Sequence, residues 1–132
     1  MSTAPRARLG AAGIGVTDLA RSVDFYTRIF GLRSVMELSL PDMDEVILAA
    51  GRDVAVVLMC HHDQAGHQYG TTGGKLVFYV ADPTAVAAAI RAEGLDIERE
   101  PTPVPELGDA IVGFARDPDG HLLELLQAPD RA

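Results

Sequence analysis

Gly13-Ile14-Gly15-Val16-Thr17-Asp18-Leu19 reads as a short strand running into a helix. Small and apolar residues alternate up to Thr17, and the Asp18 carboxylate is placed to accept from the free amides of a first helical turn. Leu19, Val23, Tyr26 and Phe30 then recur at spacings of four, three and four, along one helical face. Gly31 stands where a left-handed cap ends the helix. The same grammar returns in the second half. Leu76-Val77-Phe78-Tyr79-Val80 is an apolar strand, Asp82 a cap and Pro83 the first helical position. Val86, Ala89 and Ile90 form the buried stripe, and Gly94 ends it. Laying Asp18 on Asp82 gives an offset of 82 − 18 = 64 residues, close to half of the 132-residue chain.

Three strand-like segments follow each helix. In the first half they are Leu32–Leu40, Asp44–Ala50 and Asp53–Cys60; in the second, Leu95–Glu100, Ala110–Ala115 and His121–Gln127. The turn Asp117-Pro118-Asp119-Gly120 joins the last pair, its glycine supplying a positive φ. The stretch 61–74, rich in His, Gly, Gln and Thr, reads as a linker loop between units spanning 10–60 and 75–128. The fold class expected is α+β within a single domain, 1–132: two tandem βαβββ units forming a curved eight-stranded sheet around a cleft. A concave sheet is a common place for a ligand pocket.

Composition narrows the partners. Lys and Arg number 11 and Asp and Glu 19, a formal net charge of −8. Such a surface repels a phosphate backbone and an anionic bilayer, so neither nucleic acid nor membrane is expected as a partner. The single cysteine, Cys60, has no internal partner for a disulfide, which suits a cytoplasmic location.

Two motifs carry a family resemblance. The segment from Val16 through Asp18, Phe25 and Tyr26 to Gly31-Leu32 resembles the opening signature of the vicinal oxygen chelate superfamily. Asp117-Pro118-Asp119-Gly120-His121-Leu122-Leu123-Glu124-Leu125 resembles its closing one. That superfamily includes glyoxalase I, extradiol dioxygenases, methylmalonyl-CoA epimerase, fosfomycin-resistance enzymes and bleomycin-binding proteins. The likeness spans roughly residues 10–128, and it implies the duplicated fold more strongly than any one chemistry.

The resemblance also implies where a metal would sit. Catalytic members usually hold a divalent ion with four His or Glu side chains, two per unit, on the first and last strands. Here those positions are Ala11, Val57, Lys75 and Glu124. Ala11 and Val57 carry no donor, and an ammonium has no lone pair to give. Only Glu124 remains, so the expectation is that the family's metal centre is absent and no cofactor is bound. Lys75 and Glu124 are expected to pair, the ammonium standing where the ion's charge stood.

Other chemistry finds little support. His61, His62 and His67 lack the carboxylate or cysteine spacing of a structural zinc site, and His121 is expected to face solvent or the turn. Cys60 reads as a small core residue. Gly73-Gly74-Lys75 lacks the rest of a phosphate loop. The ligand-lining residues expected are Lys75, Glu124, Val57, Met59, Met36, Phe78, Phe114 and His62. The reading that follows is a metal-free, homodimeric protein that binds a hydrophobic or aromatic natural product, as the resemblance to drug-sequestering and bleomycin-resistance proteins implies. The alternative is an isomerase, lyase or dioxygenase with Glu124 as general base.

Overall fold

Asp18 and Asp82 start the two helices, as the repeated spacing predicts. In the computed structural model, which describes residues 6–65, 67, 69–70 and 73–129, Asp18 Oδ1 accepts from the Arg21 amide at 3.1 Å and Asp82 Oδ1 from the Ala85 amide at 3.1 Å. Helix α1 runs Leu19–Phe30 and α2 runs Pro83–Ala92. Gly31 takes the left-handed conformation (φ 70°), and its amide bonds back to the Thr27 carbonyl.

The strands are β1 (Ala12–Gly15), β2 (Arg33–Ser39), β3 (Met43–Ala50), β4 (Asp53–His61), β5 (Lys75–Val80), β6 (Ile97–Val104), β7 (Ala110–Arg116) and β8 (Leu122–Gln127). They form two four-stranded sheets, ordered β1-β4-β3-β2 and β5-β8-β7-β6. The first strand of each half pairs parallel with its last, and the remaining ladders are antiparallel. The expected eight-stranded wall is thus divided into two sheets, with no closed barrel. Strand β6 continues to Val104, past the expected end at Glu100. It tolerates Pro101 and Pro103 because it is the edge strand of its sheet.

One apolar core serves both halves. Tyr26, Val46, Leu48 and Leu58 from the first half cluster with Ala87, Ile90, Leu123 and Leu125 from the second. Phe30 stacks on Phe78 with ring centroids 3.9 Å apart. Full burial of each such leucine contributes about 1.5–3 kcal/mol.

A polar clasp fixes the halves in register. Asp117, 2% exposed, accepts from the Tyr26 hydroxyl at 2.7 Å and from the amides of Asp119 and His121 at 2.9 and 2.8 Å. Asp119 Oδ1 in turn accepts from the Thr17 amide at 3.1 Å and its hydroxyl at 2.5 Å. The turn of the second unit therefore grips the start of α1. Burial, with the Asp117 charge and hydrogen bond beside it, pushes the Tyr26 phenol far above its usual range.

Candidate functional site

Alternation along β8 decides which way the acid points. Leu123 and Leu125 are fully buried in the core, so Glu124 projects from the opposite face of the sheet. Val77 on β5 and Phe114 on β7 flank it in register. Lys75, two residues before Val77 and on the same face, donates its Nζ to Glu124 Oε1 at 2.5 Å. That ammonium lies 5.6 Å from the centre of the Phe114 ring, within reach of its negative face. The Glu124 side chain is 10% exposed and that of Lys75 48%. Glu124 is held as an ion pair in largely apolar surroundings, where the counter-charge offsets the cost of desolvation.

The first half carries the same geometry without the charge. Gly13 registers with Val57, and Ile47 registers with Val57 from the other side. Under the 64-residue offset Gly13 corresponds to Val77 and Ala11 to Lys75, so Val57 stands at the Glu124 position and Ile47 at that of Phe114. The donor set the family resemblance implies for a divalent ion therefore does not fit this chain. Of the four positions, one is a carboxylate, and the Lys75 ammonium already occupies it. Among the described residues no cluster of three or more His, Cys, Asp or Glu side chains is arranged to hold a metal.

The remaining predicted residues divide. Val57 and Met59 face away from the core on the first sheet, the Met59 thioether lying against Gly13. Met36 is on the same face and exposed. Phe78 is not a lining residue: it points the other way, into the core against Tyr26 and Phe30. His62 is likewise drawn off, its Nε2 3.1 Å from Asp44 Oδ1. With Ser39 as second donor, this contact holds the Asp44 carboxyl below its usual value.

Two lining residues were not foreseen. A cavity of about 380 Å³ lies along the seam between β1 and β5, bordered by Gly13, Gly15, Tyr69, Lys75, His121 and Leu122. Tyr69 fits there because a Cβ on Gly15 would collide with its ring. His121, expected at the solvent or the turn, instead sets its Nε2 2.6 Å from the Gly15 carbonyl, part-buried. The rings of His61, His67, Tyr69 and His121 follow one another along this rim at centroid spacings of 4.4, 5.8 and 5.8 Å. No local pattern marks His121 for this contact, because its partner, Gly15, lies 106 residues away in the other half.

The duplicated βαβββ scaffold thus sets one polar pair, Lys75 and Glu124, in an apolar sheet face. Residues 8–125 match the profile of the Glyoxalase/Bleomycin resistance protein/Dioxygenase superfamily. The chain belongs to that superfamily. It is 30% identical over 117 residues to a lactoylglutathione lyase of Arabidopsis thaliana, covering 85% of this chain and 41% of the relative. This chain thus spans about two fifths of that longer protein. With the lactoylglutathione lyase of Escherichia coli O157:H7 it shares 28% identity over 120 residues, 87% of this chain and 88% of the other. Among solved structures, glyoxalase I from Zea mays superposes with a TM-score of 0.79 at 30% identity, over 93% of this chain and 45% of that one. An antibiotic-binding protein from Streptomyces sp. CB03234 superposes at 0.70 with 17% identity, over 94% and 98%, a likeness of fold alone.

Proposed function

We propose that this chain binds a hydrophobic or aromatic organic molecule without a metal, on the sheet face built around Lys75 and Glu124. One observation carries the reading: an ammonium is bonded to the one acid left at the superfamily's coordinating positions, above the Phe114 ring. Burial of ligand area against Phe114, Leu122 and Val77 supplies affinity, and the ion pair supplies orientation. Val77 and Tyr79, 46% and 67% exposed on this face, favour a second copy of the chain closing over it as a homodimer. A resistance-type, sequestering role in the cytoplasm is consistent with the single free cysteine. Equilibrium dialysis against bleomycin and a panel of aromatic antibiotics tests the reading. Saturable binding weakened by Lys75→Met and Glu124→Gln is expected; no saturable binding to any of them sinks it.

The relatives named lactoylglutathione lyase favour a second reading, an enzyme. Glu124 would act as general base, and Lys75 would stabilise a developing oxyanion or enolate. Turnover of a dicarbonyl or catechol substrate that vanishes in Glu124→Gln selects this reading over sequestration.

A further inference from the structure

Of the chain's 11 basic side chains, ten are arginine and one is lysine, Lys75. Arginine makes the ion pairs of Asp24, Glu98, Glu100 and Asp119. Its planar, permanently charged fork is the better partner for a carboxylate, whereas an ammonium can shed a proton and become a nucleophile. The one side-chain amine therefore stands where charge alone does not require it, bonded through Nζ to Glu124 Oε1. Its side chain is half-exposed, so a solute can reach Nζ, while Glu124 is largely screened from water. The Phe114 ring lies 5.6 Å from Nζ and can stack an aromatic body. The cavity of about 380 Å³ bordered by Lys75, Leu122 and Tyr69 gives that body room.

We propose that Lys75 captures an aromatic aldehyde as a Schiff base with Glu124 relaying the protons, an assignment that rests on the Lys75–Glu124 face being the ligand site. A ligand that covers the pair expels water, which disfavours both charges. One proton then passes from Nζ to Oε1 and frees the nitrogen lone pair. The nitrogen attacks the carbonyl carbon, and a second nitrogen proton moves to the new alkoxide oxygen. Glu124 returns its proton to the resulting hydroxyl and water leaves. The product is an iminium paired with the restored carboxylate, so no oxidant or reductant is needed.

Benzaldehyde with cyanoborohydride, which reduces the imine to a stable benzylamine, is the probe, read by intact mass and peptide mapping at neutral pH. Nα-acetyl-lysine amide in the same solution reports the rate of an ordinary amine, almost wholly protonated at that pH. Benzylation of Lys75 is expected at least about tenfold faster than that of the reference, since a positioned acid–base group contributes about 10²–10⁴-fold. Glu124→Gln should bring Lys75 down to the reference rate with the circular dichroism spectrum unchanged. Lys75→Arg, which keeps the charge and removes the amine, should abolish the fast adduct. Labelling below the tenfold margin, a faster adduct elsewhere, or a fast rate that survives Glu124→Gln would each overturn the proposal. Saturable binding of an aromatic antibiotic with Lys75 labelled at the reference rate overturns the covalent step alone. Absence of both overturns the ligand face as well.

Discussion

The two halves share a backbone and differ in what they place at its midpoint. Val57 sits between Gly13 and Ile47, whereas Glu124 sits between Val77 and Phe114 and is met by Lys75. Duplication preserves what folding needs, namely helix caps, apolar stripes and the order of strands. It leaves the outward-facing positions of the central strands free to diverge, because these contribute little to the shared core. Chemistry in this chain is therefore expected from the second half, and shape from both.

The contact that locks the halves together should respond most to mutation. Tyr26→Phe leaves the buried Asp117 carboxylate without its hydroxyl donor, a loss of about 1.5–3 kcal/mol for a hydrogen bond to a charged group. Urea titration should show the midpoint falling with little change in slope. The phenol also sets a pH dependence. Its pKa is raised in the fold, so its contribution is whole below the unfolded value of about 10 and erodes as pH rises above it. Tyr26→Phe should flatten that alkaline decline.

The caps test whether the duplication is energetic as well as geometric. Asp18→Ala and Asp82→Ala should each cost about 1 kcal/mol in thermal or urea unfolding, and by similar amounts. A large inequality breaks the equivalence of the halves. Next comes the pair that distinguishes them. Lys75→Met should destabilise by up to about 1 kcal/mol, limited because the lysine is half-exposed to solvent. Adding Glu124→Leu should restore the loss, since replacing both charges by apolar groups removes the unpaired acid. A double-mutant cycle with no coupling would mean that the two side chains do not interact. The smallest effect concerns His62→Ala, which should raise the Asp44 pKa toward its ordinary value in a carbon-detected titration. It should do so with stability near neutral pH almost unchanged.

Much of the fold was legible because it is written in local signals. Asp18, Gly31, Asp82 and Pro83 each act on their own turn of helix, so spacing alone exposes them. Glu124 and Lys75 were legible as a pair only through the family resemblance that aligned their strands. Phe78 was misread for a definite reason. Every residue from Leu76 to Val80 is apolar, so no alternation marks which side meets the core. The Tyr26–Asp117 bond joins residues 91 apart, and no periodicity encodes such a contact. His121 failed similarly: its partner, the Gly15 carbonyl, comes from the other half of the chain.

Retention of a divalent ion after exposure to zinc and nickel salts and gel filtration tests the central claim most directly, with wild-type protein measured beside Glu124→Gln. The account predicts no retained ion whose amount depends on Glu124. One ion per chain in the wild type, lost in Glu124→Gln, would contradict it and restore metal-assisted chemistry to this face.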